Sequence, residues 1–186
     1  MPVRLAKKGL IILDRDGVIN RDSAAFVKSA AEWIPLPGAI AAIATLGRAG
    51  YTVTVASNQS GLARGLFERD ALLAMHRKLR KLVAADGGSI ARIVVCPHGP
   101  NANCSCRKPK PGLLLRLARH YDTALAGVPV IGDSLRDMQA ALAVGARPIL
   151  VRTGNGVNTE SSLPADDDRI EIFDDLAAAT AALTQE

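Results

Sequence analysis

The stretch of sequence that decides the fold is "LIILDRDGVIN", residues 10–20, in which an apolar run ends in two aspartates separated by one residue. A continuous apolar run of this kind is typical of a strand buried on both faces of a parallel sheet. A carboxylate directly after such a strand is costly unless a nearby charge or hydrogen bonds compensate it. Asp14 and Asp16 therefore either cap a turn or carry chemistry, and the rest of the sequence decides between these interpretations.

Apolar runs and helix-like segments alternate along the rest of the chain. Strands are predicted at residues 10–13, 52–56, 90–95, 128–131, 148–151 and 170–173, and helices at residues 39–49, 68–84, 112–120, 134–143 and 174–184. Strands that are apolar throughout and joined by helices predict an α/β fold, a three-layer doubly wound parallel sheet with helices on both faces. In such a sheet ligands bind beyond the carboxyl ends of the strands, so the residues after each strand are the candidates for function.

The composition fits one globular domain spanning residues 1–186. Hydrophobic residues make up 48% and charged residues 22%, and only 3% aromatic residues leave the core to Ala, Val, Ile and Leu. The net charge of +5 favours an anionic partner, although basic residues dispersed over the surface would give the same value. We expect a cytoplasmic protein, because the first apolar run is too short for a signal peptide and no other run is long enough to cross a membrane.

Asp14 and Asp16 begin an Asp-x-Asp-Gly motif. A calcium-binding EF-hand loop is excluded, because its fifth and twelfth positions would be Val18 and Ala25, which offer no side-chain oxygen. The functional interpretation is that Asp14 is a nucleophile that attacks phosphorus. Asp16 would then protonate the leaving alkoxide and later take a proton from water.

A second acidic pair follows the fourth predicted strand in "GDSLRD", residues 132–137. Asp133 is a natural N-cap for the next helix, and it is also expected at the same sheet edge as Asp14. Two carboxylates at that edge predict a Mg²⁺ site, since the metal would offset their repulsion from a phosphate. Asp137 either orients its neighbours or is a surface residue of the helix.

Two further signals are weak when taken alone. The stretch "SNQSG", residues 57–61, follows the second predicted strand and offers a hydroxyl and backbone N–H groups that suit a phosphate. Lys108 would supply positive charge to a phosphoryl group during its transfer. These two signals support a phosphate-binding site because they occur together with the strand-end aspartates.

The motifs Asp-x-Asp-Gly, Ser-Asn, Lys-Pro and Gly-Asp-Ser, in this order, make the chain resemble the haloacid dehalogenase (HAD) superfamily of phosphatases over residues 10–153. The resemblance implies a Rossmann-like core with Asp14 as the nucleophile and Asp16 as the general acid and base. It also implies that Ser57 and Lys108 stabilise the phosphoryl group, and that Asp14, Asp16 and Asp133 hold Mg²⁺. The chain leaves no room for a separate cap domain between these motifs, so loops are expected to shape the pocket.

Three cysteines and a histidine lie close together in the sequence: Cys96, His98, Cys104 and Cys106. Three thiolates and one imidazole make up the ligands of a closed, tetrahedral Zn²⁺ site. The alternative is three free thiols, as a reducing compartment favours, beside a loop histidine. A zinc ion here would be structural and would fix the positions of Arg107 and Lys108, which follow directly.

The stretches "CPHGP" and "CSCRKPKPG" narrow the resemblance to one branch of the superfamily, the phosphatases of D-glycero-D-manno-heptose 1,7-bisphosphate, with the histidinol-phosphate phosphatases as close relatives. That branch implies that Arg107 recognises the substrate. The other substrate-binding residues it implies are Asp22, Ser23, Ala24, Ala25, Asn58, Gln59, Ser60 and Lys108. A bisphosphate also suits the basic stretch 107–110 better than histidinol phosphate, whose amine is positive. Whether Arg64, Lys110 and Asp137 take part stays open, as does the anomer of the sugar.

Three alternatives to a heptose bisphosphate phosphatase remain. Two share the nucleophile: a histidinol-phosphate phosphatase, and a magnesium-dependent phosphotransferase or mutase. The third is a zinc-containing nucleic-acid-binding module without catalysis, but strand-end carboxylates would repel a phosphodiester backbone. We therefore expect a small-molecule sugar bisphosphate as the partner, Mg²⁺ and Zn²⁺ as cofactors, no binding to nucleic acid or membrane, and a monomer.

Overall fold

The computed structural model describes residues 6–164 and 168–185. Its strands are β1 (Gly9–Leu13), β2 (Tyr51–Asn58), β3 (Arg92–Cys96), β4 (Pro129–Gly132), β5 (Arg147–Val151) and β6 (Glu171–Phe173). Its helices are α1 (Ala39–Arg48), α2 (Arg69–Ala85), α3 (Gly112–Tyr121), α4 (Leu135–Leu142), α5 (Gly156–Ser162) and α6 (Leu176–Gln185), with a short 3-10 turn at Pro100–Ala102.

All six strands pair in parallel in the order β3-β2-β1-β4-β5-β6. The chain builds the sheet in one direction from β1 to β3 and in the other direction from β4 to β6. The switch between the two directions lies between β1 and β4. In doubly wound sheets the ligand crevice opens at this point, beyond the carboxyl ends of the strands.

The strand β1 lies at the centre of two apolar layers. Its side chains alternate, so that Ile11 and Leu13 face one layer while Leu10 and Ile12 face the other. The first layer is completed by α1, α2 and α6, and the second by α3 and α4. Burial on both faces explains why the sequence of β1 is apolar throughout.

The structure confirms the predicted fold class. Every predicted strand and helix is present, with ends that differ by a few residues. The helix α5 was not predicted, because its sequence "GVNTESS" is short and polar and has no apolar periodicity.

The connections that surround the crevice are loops. Neither the connection from β1 to α1 nor that from β2 to α2 contains a further helix or strand, so no separate cap domain covers the described part of the sheet. Within residues 6–164 and 168–185, no helix has the length and apolarity needed to cross a membrane.

Candidate active site

The carboxyl ends of β1, β2 and β4 border a cavity of about 490 Å³. Most residues predicted to act on a substrate line it: Asp14, Asp16, Asp22, Ser23, Ser57, Asn58, Gln59, Ser60, Arg107, Lys108 and Asp133. Ala24 and Ala25 are exposed and do not line the cavity. Lys110 is also outside it, and its ammonium donates to Asn103 Oδ1 at 2.8 Å.

Lys108 lies at the base of the cavity and is only 4% exposed. Its Nζ is 2.9 Å from Asp14 Oδ1 and 2.6 Å from Asp137 Oδ1, and it donates to the Ala56 carbonyl at 2.8 Å. Burial alone would lower the pKa of Lys108, but the negative charges of Asp137 and Asp14 outweigh it and raise the pKa above its usual value. Lys108 therefore supplies a fixed positive charge beside the predicted nucleophile.

One lysine does not balance the carboxylates of this cluster. Burial raises the pKa of Asp14 to about 6, even though the charge of Lys108 lowers it. Burial and then the charge of Asp14 raise the pKa of Asp133 to about 8, against the N–H of Asn155, which donates to Asp133 Oδ2 at 2.8 Å. The ionised forms of Asp14 and Asp133 are thus disfavoured, and a further cation beside them would stabilise these forms.

The same carboxylates have the spacing of a divalent metal site. One oxygen each of Asp14, Asp133 and Asp137 lie within 4.8 Å of one another. Lys108 and Ser134 engage both oxygens of Asp137. Among the described residues, Lys108 contacts only Oδ1 of Asp14 and Asn155 only Oδ2 of Asp133, so each of these two carboxylates keeps one oxygen for a metal. The backbone approaches Asp133 so closely that a Cβ atom on Gly17 or Gly154 would lie 2.0 or 2.2 Å from Asp133 Oδ2. The donor oxygens and the charge fit a hard cation such as Mg²⁺.

The carboxylate of Asp16 lies outside this metal-like cluster. Arg15 Nη2 donates to its two oxygens at 2.8 and 2.9 Å, and Asn20 Nδ2 and Gln59 Nε2 donate to it at 2.9 and 2.7 Å. Burial would raise the pKa of Asp16, but the charge and hydrogen bonds of Arg15 outweigh it and lower the pKa. Asp16 is therefore held ionised, with its carboxylate at the cavity wall.

The end of β2 positions both a hydroxyl and Lys108. Ser57 is 1% exposed, and its Oγ accepts a hydrogen bond from Gln59 Nε2 at 2.8 Å. The side chain of Asn58 accepts from the Lys108 N–H and donates to the Lys108 carbonyl, each at 3.1 Å. These two bonds fix the backbone of Lys108 against the sheet.

The start of α4 corrects one expectation about the second acidic pair and decides between the two alternatives left open for Asp137. Ser134, rather than Asp133, is the N-cap of α4, because Ser134 and Asp137 form a reciprocal capping box. Asp137 is not a surface residue, since it is 1% exposed and its carboxylate also pairs with Lys108. Capping and ion pairing together turn Asp137 towards the sheet and leave Asp133 free for the cavity.

The cysteine cluster after β3 has the geometry of an S₃N metal site. The sulfur–sulfur distances among Cys96, Cys104 and Cys106 are 3.2, 3.5 and 3.7 Å, and His98 Nδ1 lies 3.5 and 3.3 Å from Cys96 and Cys106 Sγ. Zn–S bonds of about 2.3 Å in a tetrahedron give sulfur–sulfur edges of about 3.8 Å, close to the longest of these distances, so the four ligands fit zinc. Arg107 Nη1 donates to the His98 carbonyl at 3.2 Å, which joins this loop to the cavity.

Comparison with known proteins decides the family. The HAD-hydrolase-like family matches residues 105–179, and the polynucleotide kinase 3 phosphatase family matches residues 10–134. A D-glycero-beta-D-manno-heptose-1,7-bisphosphate 7-phosphatase of Pseudomonas putida is 56% identical over 170 residues, which are 91% of this chain and 95% of the relative. The chain belongs to the HAD-like phosphatases.

Other relatives of this HAD-like phosphatase support the assignment. A crystal structure of D,D-heptose 1,7-bisphosphate phosphatase from B. bronchiseptica, complexed with magnesium and phosphate, is 54% identical with a TM-score of 0.91, and the match covers 95% of this chain and 98% of that one. A D-glycero-alpha-D-manno-heptose-1,7-bisphosphate 7-phosphatase of Mycobacterium tuberculosis is 39% identical over 145 residues, 77% of this chain and 76% of the relative.

Two arginines of the HAD-like phosphatase were missed by sequence reasoning. Arg15 is 1% exposed and donates hydrogen bonds to Asp16. The only sequence signal for this role was its position between two predicted catalytic residues. Arg136 lines the cavity from the first turn of α4. Its position within "GDSLRD", three residues after Asp133, was the signal that could have indicated it. Arg64, whose role the sequence left open, lines the cavity as well.

Proposed function

We propose that this HAD-like phosphatase removes the 7-phosphate of D-glycero-β-D-manno-heptose 1,7-bisphosphate in a magnesium-dependent reaction. The observation that carries the proposal is the 56% identity to a phosphatase of that name over nearly the whole length of both chains. The cavity supports it, because the residues predicted for phosphoryl transfer meet there. We favour the β anomer because relatives named for it reach 47 to 56% identity, whereas the relative named for the α anomer is 39% identical.

The reaction would begin at Asp14. Its free carboxylate oxygen attacks the phosphorus of the 7-phosphate, an Asp14 O–P bond forms, and the bond between phosphorus and the sugar oxygen breaks. Asp16 gives a proton to the departing sugar oxygen. In the second step water attacks the phosphorus of phospho-Asp14, Asp16 takes the proton from that water, and inorganic phosphate leaves.

Before substrate binds, the environment of Asp16 already suits its role as a base in the second step. Arg15 keeps the carboxylate ionised, as a base requires. In the first step Asp16 has to carry a proton, and the negative charge of a bound phosphate favours protonation of a neighbouring carboxylate. Arg15 and Gln59 would hold the side chain in place through both steps.

Three other groups would stabilise the transferring phosphoryl group. Lys108 places its ammonium beside Asp14, and Ser57 offers a hydroxyl from the end of β2. Mg²⁺, held by Asp14 and Asp133, would offset the repulsion between these carboxylates and the phosphate. Asp16 remains a predicted magnesium ligand, although its carboxylate is committed to Arg15, Asn20 and Gln59.

Zinc would have a structural role in this proposal. The four ligands Cys96, His98, Cys104 and Cys106 leave no open coordination position for a reaction. By closing the loop they would hold Arg107 at the cavity. We further propose that the protein acts in the cytoplasm as a monomer, without nucleic-acid or membrane partners, in the synthesis of nucleotide-activated heptose for lipopolysaccharide core precursors.

The test is phosphate release from the α and β anomers of heptose 1,7-bisphosphate, with histidinol phosphate and p-nitrophenyl phosphate as comparison substrates. Each is assayed with Mg²⁺ and after chelation. We expect the highest kcat/KM for the β anomer and loss of turnover without Mg²⁺. A higher kcat/KM for histidinol phosphate would contradict the proposed substrate.

A further inference from the structure

Three arginines from separate segments face the cavity that contains Asp14. Arg64 follows β2, Arg107 follows the cysteine cluster, and Arg136 lies in the first turn of α4. Across the part of the chain that the structure describes, none of the three forms an ion pair with a carboxylate. Arginines elsewhere on this protein do so, as Arg152 pairs with Glu160 and Asp174. Three guanidinium groups gathered without a counter-charge favour an anionic ligand.

Contacts hold the guanidinium groups of Arg64 and Arg107 near the cavity, and the backbone of Arg136 is fixed there. Arg64 lies over the ring of Phe26, with 5.5 Å from its Cζ to the ring centroid. Arg107 is tied to the cysteine loop through the His98 carbonyl. The residue after Arg136 is Asp137, whose carboxylate is fixed on Lys108. The backbone of Arg136 is thereby anchored to the catalytic cluster.

The three positive charges also lie close enough to affect one another. Burial, followed by the charges of Arg136 and Arg64, lowers the pKa of Arg107. Arg107 and Arg136 additionally line a neighbouring cavity of about 360 Å³, together with Lys110. These two arginines thus lie between the cavity of the carboxylate cluster and a second basic recess. The acidic and metal-binding groups are at the base of the first cavity, and the unpaired arginines are at its border.

We propose that Arg136, acting with Arg107 and Arg64, binds the phosphate group of the substrate that is not transferred. This inference rests on the proposed function, which supplies a substrate with two phosphates. The planar guanidinium of an arginine can bind two phosphate oxygens at once, which a lysine ammonium cannot. Arg136 is then a specificity-determining residue that selects a sugar bisphosphate over a sugar monophosphate, without touching the reacting atoms.

The test compares heptose 1,7-bisphosphate with heptose 7-phosphate, which lacks the distal group. The wild type, Arg136→Gln and Arg136→Lys are assayed for kcat and KM with both substrates. Arg116→Gln is the matched control, since Arg116 is exposed on α3, has the same charge, and lines neither cavity. Phosphate release from p-nitrophenyl phosphate checks that each protein is active.

We expect Arg136→Gln to lower kcat/KM for the bisphosphate by about 10- to 100-fold, mainly through KM, because the lost bonds are present in ground and transition states alike. For heptose 7-phosphate, the fold loss in kcat/KM should be at most about one tenth of the fold loss for the bisphosphate. Arg136→Lys should recover part of the preference, and Arg116→Gln should match the wild type.

Equal losses on both substrates, or no loss on the bisphosphate, would overturn the role of Arg136 and leave the proposed function intact. The proposed function itself would fail on another result. In that case the wild type releases phosphate from p-nitrophenyl phosphate but from neither heptose phosphate, and the assignment of a distal phosphate fails with it.

Discussion

Replacing Asp137 by Asn removes one negative charge from the buried cluster at nearly constant side-chain size. Asp137 is 1% exposed, and its Oδ1 lies 2.6 Å from Lys108 Nζ. Its Oδ2 accepts hydrogen bonds from the N–H and hydroxyl of Ser134 at the start of α4. In Asp137→Asn, Lys108 keeps Asp14 at 2.9 Å as its charged partner and the Ala56 carbonyl at 2.8 Å as an acceptor.

The remaining contacts of Lys108 set the size of the effect. Removing one partner of a buried pair costs about 3–5 kcal/mol when the other charge is left alone. Because Lys108 retains Asp14, and because Asn keeps an oxygen for the helix cap, we expect a smaller loss of about 2–3 kcal/mol in the free energy of unfolding. For a chain of this size the melting temperature changes by about 2–4 °C per kcal/mol, so Tm should fall by about 4–12 °C.

Urea denaturation and calorimetry of the zinc-loaded protein at neutral pH measure this change. Asp174→Asn is the matched control, because Asp174 is 81% exposed and pairs with Arg152 at 2.7 Å at the surface. Surface pairs contribute little, so this control should unfold like the wild type. If Asp137→Asn were as stable as the wild type, the reasoning that Lys108 depends on Asp137 would be refuted.

The remaining predictions concern pH, zinc and the acid–base residue. Burial, followed by the charges of two nearby arginines, lowers the pKa of His76 from 6.5 to about 4. Between pH 6.5 and 4 the unfolded chain therefore binds more protons at His76 than the folded protein does. Acidification from pH 6.5 to 4 should remove up to about 3 kcal/mol from the free energy of unfolding of the wild type. His76→Gln should not show this loss in urea denaturation at each pH. Cys104→Ser should take the zinc content from about one ion per chain to none in metal analysis and lower Tm, and full retention of zinc would contradict a site with four ligands. Arg15→Met removes the main partner of Asp16, so the acidic limb of the kcat profile should move to higher pH; an unchanged profile would show that Arg15 does not tune Asp16.

The sequence was sufficient to predict the fold and the strand ends that border the cavity. Apolar runs and helical periodicity are local signals, and both faces of β1 are buried as its sequence indicates. Asp14, Ser57 and Asp133 could be placed at one edge because parallel strands present their carboxyl ends together. Four closely spaced side chains that could bind a metal were equally visible in the sequence.

Interactions between distant segments were not predictable in the same way. The sequence does not show that Arg15 turns inward, because its inward position depends on Gln59 from the end of β2 and on Met75 from α2. Helical periodicity leaves the direction of Asp137 undecided, which the capping box and Lys108 settle in the structure. The contribution of Arg136 to the cavity depends on how α4 is seated, which is a property of the packed fold.

That Asp14 attacks phosphorus is tested most directly by trapping the phosphorylated protein. The wild type is mixed with heptose 1,7-bisphosphate and Mg²⁺, quenched in acid within one turnover, digested, and its peptides are analysed by mass spectrometry. We predict one added phosphoryl group on the peptide that contains Asp14, and neither this group nor phosphate release in Asp14→Asn. A phosphoryl group on another residue, or appreciable turnover by Asp14→Asn, would contradict the assignment of Asp14 as the nucleophile.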